Sequence, residues 1–322
     1  MKNKIFLLTI ILLSSFSFSQ TKKAVSQIIY LDSLWHNTTK GNHQYYRIVN
    51  EYYSDRDFYI INDFYKSGVL QMIGKSKDKD QVRLEGQTIF YYENGNKKST
   101  CNYEADKKSG KEFAWYESGA IKLEAEHIIA EDKKTNDYRL LQFWDTNSKQ
   151  TVIDGNGIYE NAEDLEANDT SASFSEKGEI KNGKRNGIWT GKSTKFNTTY
   201  TESYVNGKFI NGTSTLGDYT KHHYTELKQA AAPKNGMQDF YRYIGKQFRT
   251  PKIEGLQGKI YMTFEIDKEG NLTNPKVLRD LGYQTGEEAV RVINAAKNWN
   301  PARLKGIAIS SFYALPITIT AR

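Results

Sequence analysis

The sequence predicts a mainly β chain, with stacked antiparallel β-hairpin repeats followed by a small α+β domain of three strands and two helices. Three observations carry this. Glycines recur with a 24-residue period behind aromatic pairs. Tyrosine, a strand-favouring residue, occurs 22 times. All five prolines (Pro233, Pro251, Pro275, Pro301, Pro316) fall in the last 90 residues, so the two parts differ in composition.

The N-terminus reads as an export signal. Lys2 and Lys4 precede an apolar stretch of 14 residues, Ile5 to Phe18, interrupted by Thr9, Ser14, Ser15 and Ser17. A spanning helix needs about 20 apolar residues, and Ser17 and Ser19 place small side chains before a cut at Gln20. Residues 1–19 are therefore expected to be a signal peptide and the chain periplasmic. An uncleaved inner-membrane anchor is the alternative.

Residues 20–60 read as an N-terminal cap rich in aromatic residues, because the outermost unit of a repeat array otherwise exposes its apolar face. Hairpin repeats are expected over 61–229. Phe64-Tyr65-Lys66-Ser67-Gly68 matches Tyr91-Tyr92-Glu93-Asn94-Gly95 and Trp115-Tyr116-Glu117-Ser118-Gly119. Gly95 to Gly119 and Gly86 to Gly110 give the same 24-residue spacing. Ser-Gly and Asn-Gly are turn dipeptides that accept positive φ. A single hairpin is too small to be stable alone, so stacking is required. Asn182-Gly183-Lys184-Arg185-Asn186-Gly187-Ile188-Trp189 is a weaker echo. These motifs resemble MORN-type hairpin repeats, including the variant of YwqK-like antitoxin-type proteins. That resemblance implies a β scaffold and no activity.

Ala230 to Gly236 reads as a linker, and 237–322 as the C-terminal domain. Met237, Phe240, Tyr241, Ile244 and Phe248 have helical spacing, with Pro251 as the stop. Ile260, Met262, Phe264 and Ile266 alternate as a half-buried strand. Asp267 to Asn271 is a turn. A second strand runs through Leu272 to Leu281, with Pro275 marking a bulge or edge. Thr285-Gly286-Glu287-Glu288 has the form of a capping box before a second helix. Ile307 to Ile319 is the last strand.

In order and spacing, these features resemble a TonB C-terminal domain of the type common in Bacteroidetes. The matching stretches include Asp267-Lys268-Glu269-Gly270, Leu281-Gly282, Glu288 to Ile293, Trp299-Asn300-Pro301-Ala302, Lys305-Gly306 and Leu315-Pro316-Ile317. The resemblance implies strand addition, in which an extended peptide pairs with a sheet edge. The edge candidate is Ser310, Ser311, Phe312, Tyr313, Ala314 and Leu315, since Pro316 lacks an N–H and is expected to interrupt the ladder. It implies a protein partner in the cell envelope, such as an outer-membrane receptor.

The function expected is a non-catalytic periplasmic adaptor. The alternatives are a TonB-type energy transducer with a retained anchor, and a repeat-based binder of cell-wall glycan or another protein. A transducer carries a Pro-rich extended spacer, and residues 20–232 contain no proline. No catalytic motif occurs, the only cysteine is Cys101, and neither a metal site nor a cofactor is expected. Residues 234–322 hold 14 Lys/Arg against 8 Asp/Glu, a basic bias compatible with peptidoglycan contact. Nucleic acid is not an expected partner of an exported chain. The oligomeric state is not legible.

Overall fold

A computed structural model describes residues 26–130, 136–161, 175–194 and 196–320. The expected signal peptide lies outside them. No helix among the described residues is long and apolar enough to cross a membrane. The chain divides into two compact units, the first including 1–96 and 102–108, the second 97–101 and 109–322.

The first unit is an antiparallel ladder in chain order: β1 (Gln27–Leu31), β2 (Tyr45–Val49), β3 (Tyr59–Tyr65), β4 (Leu70–Ser76) and β5 (Leu84–Tyr91). β6 (Lys97–Glu104) is divided between the units. Val49, Tyr59, Ile61 and Met72 form the first unit's core. Beside them Asp63 is buried, and Arg47 grips both of its oxygens at 2.7 and 2.8 Å. Burial pushes the Asp63 carboxyl up, against the pull of the guanidinium.

β7 (Lys107–Trp115) is likewise divided, and the second unit holds β8 (Ile121–Ile129), β9 (Asn136–Trp144), β10 (Gln150–Ile153), β11 (Asn156–Asn161), β12 (Ser175–Lys181), β13 (Lys184–Ser193), β14 (Thr198–Val205), β15 (Lys208–Leu216) and β16 (Lys221–Tyr224). Each strand pairs with the next.

Two turn types build these hairpins. At one type, an N–H bonds the carbonyl four residues on, and the fourth residue is left-handed. Tyr65, Tyr92 and Tyr116 each open such a turn, closed by Gly68, Gly95 and Gly119 at φ 87–90°. Asp145 and Leu216 open two more, but Ser148 (φ 61°) and Tyr219 (φ 67°) stand where glycine is expected. The other type is a two-residue turn with both φ positive, at Asp154-Gly155, Asn182-Gly183 and Asn206-Gly207, the form that matches strand twist. The turn tyrosines also tie successive hairpins together. Tyr65 Oη donates to the Tyr91 carbonyl at 2.8 Å, and Tyr116 Oη to the Trp144 carbonyl at 2.7 Å.

Glycine has a further use in the second unit. Gly178 faces Trp189, Gly191 faces Tyr200 and Gly212 faces Tyr224 in register. A Cβ at any of these glycines would lie 2.2–2.4 Å from the ring opposite. The rings lie over bare backbone, and Trp189 joins the core that includes Leu140, Phe143, Val152 and Ile180.

The rest of the second unit is the α+β domain. It comprises β17 (Lys228–Gln229), β18 (Ala232–Pro233), α1 (Gly236–Gln247), β19 (Gly258–Ile266), β20 (Leu272–Arg279), α2 (Thr285–Ala295), β21 (Trp299–Asn300), β22 (Ala302–Leu304), β23 (Ile307–Ile309) and β24 (Ser311–Ile319). The main sheet has the order β20-β19-β24. The apolar faces of α1 (Phe240, Ile244) and α2 (Ala289, Val292, Ile293) share one core with Ile260, Met262, Phe264 and Ile266. The segment read as a linker, 230–236, holds β18, paired with β21, and the first residue of α1.

Three local readings are revised. The last strand is broken at Ser310, because β23 pairs with β22 and β24 with β19. Thr285 is the first residue of α2 rather than its cap; its hydroxyl donates to the Gly282 carbonyl, and Gln284 before it is left-handed. α1 ends at Gln247, ahead of Pro251, because Phe248 is already extended.

Candidate functional site

Among the described residues β24 is an edge strand, paired on one side only with β19. The pairing runs in unbroken register from Gly258↔Ile319 to Ile266↔Ser311. The ladder is thus not interrupted at Pro316, which sits opposite Tyr261. Proline fits a ladder where its nitrogen faces an open side. Alternate residues divide between two faces: Leu315, Ile317 and Ile319 are buried, whereas Phe312, Ala314, Pro316 and Thr318 are exposed. Phe312 reaches 81% exposure. Tyr313 is held inward, against Trp299 and Phe264. Its hydroxyl lies 3.6 Å from Met237 Sδ. Of the candidate residues, Ser311, Phe312, Tyr313, Ala314 and Leu315 lie on the edge strand. Ser310 lies just before it.

The opposite edge differs. In β20 the register with β19 shifts across Asn274 and Pro275, and Asn274 takes φ 51°. Such a bulge spoils a strand as a pairing template. α2 also packs against β20. The margin of β24 is the regular one.

Beside that margin runs a groove of about 970 Å³. Its walls are Pro316–Thr320 on one side, and α1 with the segment 250–254 on the other. Gly245, in the interior of α1, has open space where its side chain would be; this keeps the groove wide. Sequence reasoning stopped at Leu315 and missed Tyr241, Phe248 and 250–254. The glycine inside an otherwise good helix was the available signal.

The far wall is pinned by α2. Glu288 accepts the Arg249 N–H at 2.8 Å and pairs with Arg291 at 2.6 and 2.8 Å. Arg291 also donates to the Gln247 carbonyl at 2.7 Å, at the end of α1. The guanidinium beside Glu288, helped by the Arg249 N–H, lowers its carboxyl to about 2.

The match to known proteins falls on this domain. Residues 251–318 match the family model for the Gram-negative bacterial TonB protein C-terminal. The matched stretch begins after α1 and takes in β19, β20, α2 and most of β24. No curated protein matches the chain. The TonB-type segment thus contains both the open margin and one wall of the groove.

This domain meets the hairpin sheet through the turn of β22 and β23. Lys305 and Gly306 form a two-residue positive-φ turn. The Lys305 ammonium pairs with buried Glu202 of β14 and lies 3.8 Å from the centre of the Tyr200 ring. Tyr204 and Tyr224 donate their hydroxyls to the same carboxylate at 2.8 and 2.7 Å. Ser214 donates to the Lys305 carbonyl at 2.7 Å. β17, just after the hairpin sheet, adds a strand to β22.

Proposed function

We propose that the chain is a non-catalytic envelope adaptor whose TonB-type domain takes up an extended peptide as a fourth strand along β24. The observation that carries this reading is a regular, unpaired strand margin beside a groove wide enough for the side chains of an added strand. Main-chain bonds give such a complex its affinity, and side-chain pockets give selectivity. With the Pro316 nitrogen on the open side, the N–H groups of Phe312, Ala314 and Thr318 share that side, as backbone groups alternate along an antiparallel strand. The partner is a segment of an envelope protein, such as an outer-membrane receptor, met in the periplasm. The hairpin units act as the mount that presents the domain.

The domain match suits an energy transducer equally well. The adaptor is preferred because residues 20–232 contain no proline and so no extended proline-rich spacer.

A photo-crosslinking residue at Phe312, compared with one at Leu278 on the opposite edge, tests this in intact envelopes. A specific protein adduct at position 312 and none at 278 is expected. Equal labelling from both positions, or none from 312, contradicts the reading.

A further inference from the structure

A second cavity, of about 400 Å³, opens in the hairpin sheet of the second unit, away from the β24 margin. Backbone contacts set its shape. The turn Asn182-Gly183 folds back onto β9, where the Leu140 N–H donates to the Gly183 carbonyl at 2.9 Å. The Gly183 N–H in turn bonds the Gly155 carbonyl at 2.8 Å. A side chain at Gly183 would come within 2.9 Å of Arg139 Cβ, so glycine permits the approach. The walls therefore stand in place without a ligand.

The lining is aromatic, with paired charges. Tyr159 packs 5.7 Å from Trp189, and the Arg185 guanidinium lies 4.1 Å above the Trp189 ring. Arg185 pairs with Glu176, and Lys184 with Asp137 at 2.9 Å. Two cations thus meet two carboxylates, and no net charge is left to attract an ion. Tyr138 and Tyr159 line the cavity, and neither hydroxyl has a hydrogen-bond partner among the described residues. Desolvation raises both phenols, even though Tyr138 keeps 44% of its surface exposed, so they stay protonated donors.

A hydroxyl in a concave site that lacks a protein partner is met by water or by a polar ligand. Cavities of this size bind small molecules through apolar walls and a few placed polar groups. A charged ligand finds its counter-charge already taken. A purely apolar one would leave two phenols without a hydrogen bond. A molecule with hydrogen-bonding hydroxyls and apolar C–H faces suits both.

We propose that this cavity binds a neutral saccharide, with the Tyr138 and Tyr159 hydroxyls as direct contacts. The inference does not rest on the peptide-binding reading.

Calorimetric titration of the full chain with cellobiose and N,N′-diacetylchitobiose, against glucuronic acid as a charged comparator, tests it. Saturable binding of a neutral disaccharide is expected. Tyr138→Phe and Tyr159→Phe keep the rings and remove one hydrogen bond each, and each should raise Kd about three- to tenfold. Unchanged melting of both variants excludes misfolding as the cause. No neutral binding at millimolar sugar, binding of the acidic sugar alone, or unchanged affinity in both tyrosine variants overturns the proposal.

Discussion

The ammonium of Lys305 meets the carboxylate of Glu202, and with that pair the TonB-type domain is anchored in the face of the hairpin sheet. Glu202 is fully buried at its side chain and Lys305 nearly so. Burial lowers the Lys305 ammonium, while Glu202 acts to hold its proton on. Two phenols and a serine complete the hydrogen bonding around the pair.

Removing one member of a buried pair leaves the other uncompensated, at a cost of about 3–5 kcal/mol. Lys305→Met is expected to destabilise the second unit by that order in urea unfolding. Adding Glu202→Gln should recover part of the loss, since the orphaned charge is then gone. Strict additivity of the two changes contradicts a direct coupling.

Acid should loosen the groove wall. The Glu288 carboxyl is lowered from 4.5 to about 2 in the folded chain. Its contribution is thus fully present above the unfolded value and is lost as pH falls through the folded one. Thermal melting followed from about pH 6 down to about pH 2 should show a decline that Glu288→Gln makes shallower. An identical pH profile in the variant removes Glu288 from the account.

Two glycines of the hairpin sheet should respond differently to alanine. At Gly178 the new Cβ would sit 2.2 Å from the Trp189 ring, so the ring must leave its place. Overpacking of this kind costs about 1–3 kcal/mol or more. At Gly187 (φ 67°) the nearest atom is a flexible carboxylate oxygen at 3.5 Å. Only the left-handed backbone is strained there, at about 1 kcal/mol. Urea midpoints for the two variants check the order, and a larger loss at Gly187 than at Gly178 contradicts it.

The hairpins that the sequence disclosed are those whose turns need glycine. Gly68, Gly95 and Gly119 carry φ values near 90° that other residues avoid. Ser148 and Tyr219 make the same turn at φ 61° and 67°, where a side chain is tolerated, and the periodic signal disappears. The C-terminal strands and helices were legible because each buries one face, and burial writes a period of two or 3.6 into the chain. The false capping box at Thr285 shows the limit of a short motif, since Glu288 is drawn away to Arg291 and the Arg249 N–H. The groove and the Lys305–Glu202 pair depend on residues far apart in sequence, and no local pattern marks them.

The open margin of β24 is tested most directly by amide hydrogen exchange, residue by residue, in the free chain. Slow exchange at Tyr313, Leu315, Ile317 and Ile319 with fast exchange at Phe312, Ala314 and Thr318 is expected, because only the first set faces β19. Slow exchange at all seven amides would mean that the margin is already covered, and strand addition there would be excluded.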